Sequence, residues 1–152
     1  MTFFGARSAR ILLTAAIVFA IDQASKAAAV ARLSPGERAE ILPFLDLERT
    51  SNSGIAFGLA GNLPPVLLMG VAAAVVVVLL IIGSRIRWRG AVLAIGLILG
   101  GALGNLADRA TRGAVVDFIS LPHWPTFNLA DAAITLGVAL LALGALRSNA
   151  GR

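Results

Sequence analysis

Long apolar blocks alternate with short polar segments along the chain. Four blocks rich in Ala, Val, Leu, Ile and Gly approach the length of about 20 residues that a helix needs to cross a bilayer. They cover about residues 11–30, 66–84, 91–110 and 131–146. The fourth is short, and we expect its helix to begin within residues 127–130. The pattern predicts a single membrane domain, residues 1–152, with four spanning helices.

The arginines predict which side of the membrane each connection occupies. They precede the first block, fill the turn between the second and third, and follow the fourth: Arg7, Arg10, Arg85, Arg87, Arg89, Arg147 and Arg152. With four spans these three places share one side, which the positive-inside rule makes cytoplasmic. Both termini are then cytoplasmic, and segments 31–65 and 111–130 are external.

A cleavable signal peptide is an alternative interpretation of the first block. Two arginines, the apolar run 11–21 and the Ala-rich residues 27–31 fit such a leader. This alternative leaves Asp22, Gln23 and Lys26 unexplained, because a discarded segment has no need of them.

Composition supports a membrane protein and excludes several kinds of site. The chain is 58% hydrophobic and 14% charged, whereas soluble domains carry roughly 25% charged residues. The net charge is +5, but the arginines flank apolar blocks instead of forming a stripe with aromatic residues, which argues against nucleic-acid binding. With no cysteine and one histidine, His123, we expect no thiol nucleophile, metal or cofactor.

Ionisable side chains within spans are costly and therefore suggest function. Asp22 and Lys26 are four residues apart, so they share a helical face and can form an ion pair. Asp108 and Arg109 are adjacent, so each is expected to find a partner in another segment. Asn105, one turn earlier, also needs a hydrogen-bond partner. Anchoring of the helix end and support of a site both remain open for these three residues.

Small and turn-forming residues mark two further places. Gly96, Gly100 and Gly104 form a double GxxxG pattern, which predicts close helix packing. Asn52, Ser53 and Gly54 begin a segment, residues 52–58, that is either an ordinary turn or a loop beside the site.

Two aspartates fall on the predicted external side. Asp117 lies in a β-like apolar stretch, and Asp131 lies in the first turn of the fourth span, where Asn128 can cap the helix. Taken singly, Asp131 can compensate the helix dipole and Asp117 can be a loop residue. Taken together, they share one predicted depth and are joined by a connection short enough to fold back.

Two neighbouring carboxylates suit peptide hydrolysis without a metal. They share one proton, so one can activate water while the other polarises a carbonyl group. A proton- or ion-coupled transporter is the alternative. Transporters typically have carboxylates near the membrane midplane and an internal repeat. Here both aspartates are predicted at one face of the membrane, and the sequence shows no repeat. A structural protein that oligomerises through its glycines would leave the paired aspartates without a purpose.

Five blocks in this order resemble the motifs of bacterial lipoprotein signal peptidase, or signal peptidase II. They are DQASK at 22–26, NSGIAFG at 52–58, GGALGNLADR at 100–109, VVDF at 115–118 and FNLAD at 127–131. The resemblance covers nearly the whole chain and argues against a cleaved first span.

The resemblance implies an all-α membrane protein with four transmembrane helices. It adds a small extracytoplasmic β-cradle and a short interfacial helix between spans 1 and 2. The expected activity is removal of signal peptides from diacylglyceryl-modified prolipoproteins, by cleavage on the N-terminal side of the lipidated cysteine at the outer face of the inner membrane. The implied partners are these substrates, membrane lipids and globomycin-type inhibitors, and we expect a monomer.

The resemblance also assigns roles by motif. Asp117 and Asp131 are implied as the catalytic pair. The residues implied to line or support the site are Asp22, Lys26, Asn52, Gly54, Asn105, Asp108, Arg109, Asn128 and Ala130.

Overall fold

The computed structural model describes residues 3–53 and 90–150, together with residues 70, 73, 74, 76–78, 81 and 88. These residues form three long helices, α1 (Phe3–Arg32), α2 (Ala91–Arg112) and α3 (Leu129–Ala150). They also form four strands, β1 (Arg38–Leu42), β2 (Leu45–Asn52), β3 (Val115–Leu121) and β4 (Trp124–Phe127).

Three of the four predicted spans are helices long and apolar enough to cross a membrane. These are Gly5–Arg32, Ala91–Arg112 and Leu129–Arg147. α3 begins within residues 127–130, as predicted. Most of the second predicted span, 66–84, lies outside the described residues, although Gly70, Val77 and Ile81 are helical. The four-span count therefore stays a prediction, as does the interfacial helix, for which residues 54–69 are not described.

Small residues let α2 pack closely against both α1 and α3. A Cβ atom at Gly100 would lie 2.6 Å from the Ala15 carbonyl oxygen on α1. A Cβ atom at Gly101 would lie 2.5 Å from the Ala130 carbonyl oxygen on α3. The close packing predicted from the GxxxG pattern is confirmed, and it brings polar side chains of the three helices within hydrogen-bond distance of one another.

The four strands form one antiparallel sheet in the order β1-β2-β3-β4. β1 and β2 follow the first span, as the predicted cradle does. The expectation that the cradle lies only between spans 1 and 2 was incomplete, because β3 and β4 come from the connection between α2 and α3. Pairing of β2 with β3 places Thr50 opposite Asp117 and Asn52 opposite Val115.

Contacts at the ends of α1 and α2 hold the sheet against the helices. Arg49 on β2 donates from Nη1 to the Leu33 carbonyl oxygen at 3.0 Å, satisfying a carbonyl group just after α1. Gly113 follows α2 with φ 76°, and its N–H donates to the Arg109 carbonyl oxygen at 3.1 Å. This left-handed cap, which favours glycine, turns the chain from α2 into β3.

Candidate active site

Asp117 is a buried carboxylate on β3, with only 2% of its surface exposed. Asn52 Nδ2 on β2 donates to Asp117 Oδ2 at 3.1 Å. Asn128 Nδ2, just before α3, donates to Asp117 Oδ1 at 2.6 Å. Sheet pairing thus explains why Asn52, distant in sequence, reaches this carboxyl group.

The surroundings of Asp117 favour its protonated form. Burial raises the pKa of Asp117 from an ordinary 3.8 to about 6, and the negative charge of Asp131 acts in the same direction. The hydrogen bonds from Asn52 and Asn128 oppose the shift, because they stabilise the ionised carboxylate. Desolvation is the largest of these effects.

Asp131 is a partly buried carboxylate in the first turn of α3. Its backbone N–H donates to Asn128 Oδ1 at 3.0 Å, and the Asn128 N–H donates back to Asp131 Oδ2 at 3.3 Å. This reciprocal cap confirms the predicted N-cap and orients the Asp131 side chain. Asn105 Nδ2 on α2 donates to the other oxygen, Asp131 Oδ1, at 2.8 Å.

Both aspartates line one cleft of about 310 Å³. Its polar wall includes Asn52, Asn105 and Arg109. The other lining side chains are mostly apolar or aromatic and come from β3, β4 and α3: Val115, Trp124, Pro125, Thr126, Phe127, Ile134 and Thr135. The cleft therefore places two carboxyl groups beside a largely apolar wall.

Asp22, Lys26 and Asp108 form a buried charge cluster, which contacts the residues that directly precede the two cleft aspartates. Lys26 Nζ is 2.8 Å from Asp22 Oδ2 and 3.1 Å from Asp108 Oδ2, and none of these three side chains is exposed. Arg112 also pairs with Asp108. The predicted Asp22–Lys26 pair is confirmed, and Asp108 does find its partner on another helix.

The other predicted support residues lie beside these groups, with one outside the described residues. Ala130 is fully buried, and its N–H donates to Asp22 Oδ1 at 2.9 Å. Arg109 lines the cleft, and its Nη1 donates to the Asn105 carbonyl oxygen at 3.5 Å. Gly54 lies in a segment that is not described.

Two polar residues of this region, Gln23 and Arg112, had no role in the site predicted from the sequence. Arg112 follows Asp108 by four residues, a spacing that could have indicated the pair. Gln23 Nε2 lies 3.2 Å from Asp22 Oδ2, 3.2 Å from the Gly104 carbonyl oxygen and 3.4 Å from Asp108 Oδ1. No local spacing could indicate that role, because it depends on the packing of α1 against α2.

The donor set does not resemble a metal site. Among the described residues, no group of three or more His, Cys, Asp or Glu side chains is arranged to hold a metal ion. The two cleft carboxylates instead have amide donors as neighbours.

Known proteins resemble this chain over most of its length. The sequence model of the family described as signal peptidase (SPase) II matches residues 14–147. A lipoprotein signal peptidase of Polynucleobacter necessarius subsp. necessarius (strain STIR1) is 39% identical, covering 94% of this chain and 93% of its own. A lipoprotein signal peptidase of Pelotomaculum thermopropionicum is 41% identical, covering 91% and 93%.

Two solved structures share the fold. One, described as a bacterial membrane enzyme at 2.3 Å resolution, superposes with a TM-score of 0.78 at 29% identity and covers 99% of this chain and 93% of its own. A second bacterial membrane enzyme, at 1.9 Å resolution, gives a TM-score of 0.71 at 31% identity, with 95% and 94% covered.

Proposed function

Since the chain belongs to the signal peptidase II family of bacterial membrane aspartyl proteases, which remove signal peptides from prolipoproteins, we propose that Asp117 and Asp131 are its catalytic pair. The observation that carries the assignment is that both carboxyl groups line one cleft. Asn128 binds both of them, donating from its side chain to Asp117 and from its backbone to Asp131.

The two carboxyl groups have different roles in the proposed reaction. Asp117 carries the shared proton, because its burial disfavours the charged form. Asp131, more exposed and oriented by Asn105 and Asn128, takes a proton from the attacking water.

Hydrolysis then proceeds through a tetrahedral intermediate. As the water oxygen bonds to the scissile carbonyl carbon, protonated Asp117 donates to the carbonyl oxygen and stabilises its developing charge. Collapse of the intermediate breaks the C–N bond, and the proton held by Asp131 passes to the leaving amine. The proton that reaches the amine is the one that Asp131 took from the water, and Asp117 keeps its own proton as the carbonyl group re-forms, so both carboxyl groups return to their starting states.

We assign the cleft to the outer leaflet of the bacterial inner membrane. The positive-inside pattern supports four spans with cytoplasmic termini. The end of α2, the start of α3 and all four strands lie at one end of the helices, which this orientation makes external. Acyl chains of the substrate can stay in lipid there while its extended segment enters the cleft.

Gly54 and Arg109 are proposed to support substrate binding, and globomycin-type inhibitors are proposed to compete with the substrate for the cleft.

The cleavage position tests the proposed substrate. We expect the purified protein to cut a synthetic diacylglyceryl prolipoprotein on the N-terminal side of the modified cysteine, as located by mass spectrometry. The unlipidated peptide serves as control and should be cut at least about 10-fold more slowly, because the acyl chains add apolar contact with the membrane. Equal rates for the two peptides, or a cut elsewhere, would contradict the proposed substrate.

The pKa of Asp117 predicts the pH dependence of cleavage. The protonated acid is lost as the pH rises through about 6, so we expect kcat/KM, which reports the free enzyme, to fall on that side. The measurement is a pH profile from 4.5 to 8.5 in one ionic-strength-matched buffer series. A rate that instead rises through this range would make Asp117 the base.

A further inference from the structure

All three N–H groups of the Lys26 ammonium have acceptors in the protein interior. Two acceptors are the carboxylates of Asp22 and Asp108, and the third is Asn105 Oδ1 at 2.8 Å. An ammonium group has three donors, so these contacts use all of them. Charge neutralisation accounts for the two carboxylates, but it does not account for the bond to a neutral amide.

The Lys26 contact favours the orientation in which the Asn105 NH2 group faces Asp131. Asn105 Oδ1 accepts from Lys26 at 2.8 Å and from Asn128 Nδ2 at 3.2 Å, while its Nδ2 donates to Asp131 at 2.8 Å. A rotated amide would place its NH2 group against two donors and its oxygen against a carboxylate. Of the two bonds to Oδ1, the Lys26 bond is the shorter and is charge-assisted, so it is the stronger one.

The two carboxylates around Lys26 hold the residues that immediately precede each proposed catalytic aspartate. Asp22 Oδ1 accepts from the N–H of Ala130 at 2.9 Å. Asp108 Oδ2 accepts from the N–H of Val116 at 3.1 Å. One ammonium group on α1 is therefore connected through hydrogen bonds to both elements that carry the pair.

We propose that Lys26 is a positioning residue of this peptidase, which holds the Asp131 carboxylate in its reacting orientation through the side-chain amide of Asn105. The proposal rests on the catalytic pair proposed above. Lys26 has no exposed surface, so it acts on the carboxylate and not on bound substrate. Misplacement of a reacting group slows the chemical step, so the effect is expected on kcat and not on KM.

A charge-balanced variant separates positioning from neutralisation. Asp22→Asn combined with Lys26→Met removes one charge of each sign, leaves Asp108 paired with Arg112, and keeps an oxygen for the Ala130 N–H. We expect kcat to fall about 10- to 100-fold, with KM within about twofold of wild type. A wild-type kcat in this variant would overturn the proposal, because neutralisation would then be the whole role of Lys26.

The Asn105→Ala variant tests the route through the amide. Alone, it should lower kcat with little change in KM, and a wild-type kcat would overturn the proposal even if the charge-balanced variant fails to fold. Added to Asn105→Ala, the charge-balanced pair should lower kcat by no more than about twofold further, since residues acting through one contact are not additive. Fully additive losses would show that Lys26 acts by another route.

The same assay distinguishes failure of this inference from failure of the catalytic assignment. Rates are normalised to folded protein that elutes as one species in gel filtration. If Asp117→Asn and Asp131→Asn are inactive while the charge-balanced variant is fully active, only the role of Lys26 is wrong. If either aspartate variant retains activity, the catalytic pair itself is wrong.

Discussion

Asp117→Asn and Asp131→Asn are each expected to lower kcat for prolipoprotein cleavage by about 10²- to 10⁴-fold, the range for loss of a general acid or base. Asn has nearly the shape of Asp but cannot hold or release the proton that the reaction needs. At Asp117 the amide, like the protonated acid, places no charge in a buried site, so we expect the variant to stay folded. Both variants would be assayed for cleavage and for thermal unfolding in the same detergent.

A third aspartate provides the matched control. Asp46 lies on β2 and pairs with Arg38, away from the cleft-lining side chains. Asp46→Asn should retain the wild-type rate, because it removes a carboxylate of the same sheet without touching the pair. Wild-type cleavage by either Asp117→Asn or Asp131→Asn would rule out the assigned mechanism.

Lys26→Met is expected to cost about 3–5 kcal/mol of stability, the range for removing one partner of a buried ion pair. The substitution keeps an unbranched side chain of similar length but leaves Asp22 without its counter-ion, and Asp108 with Arg112 alone. Neither carboxylate is exposed to water that could compensate. The free energy of unfolding would be measured by denaturant titration in detergent.

Arg38→Met is the corresponding surface control. Arg38 is 58% exposed and pairs with Asp46 on the neighbouring strand, so its loss should cost much less stability than the loss of Lys26. The charge-balanced variant of Lys26 should also recover most of the lost stability. Equal losses for Lys26→Met and Arg38→Met would show that the buried charge cluster contributes no more than an exposed pair.

Features that depend on neighbouring residues could be predicted from the sequence. Apolar blocks of membrane length predicted α1, α2 and α3, because a helix satisfies its own backbone in lipid. The Asp22–Lys26 pair and the Asn128 cap follow from spacings of four and three residues along a helix. The resemblance to signal peptidase II identified both aspartates, because they lie in two of the five ordered sequence blocks on which it rests.

Other features depended on contacts between distant segments. The apolar run around Asp117 predicted a β-like stretch but not its pairing with β2, where Thr50 lies 67 residues away. Strand pairing is non-local, so a short apolar run does not indicate its partner. The aromatic wall that β4 contributes to the cleft was missed for the same reason.

The sequence alone determined that this protein is a membrane protein with two aspartates in family motifs, because helix length, charge placement and motif order are properties of the linear chain. How those aspartates are held follows instead from contacts between distant segments. Lys26 contacts Asn105, which is 79 residues away in sequence, and Asp22 contacts Ala130, which is 108 residues away. Those contacts exist because glycines on α2 let three helices approach closely, and that approach excludes the water that would otherwise solvate the charges.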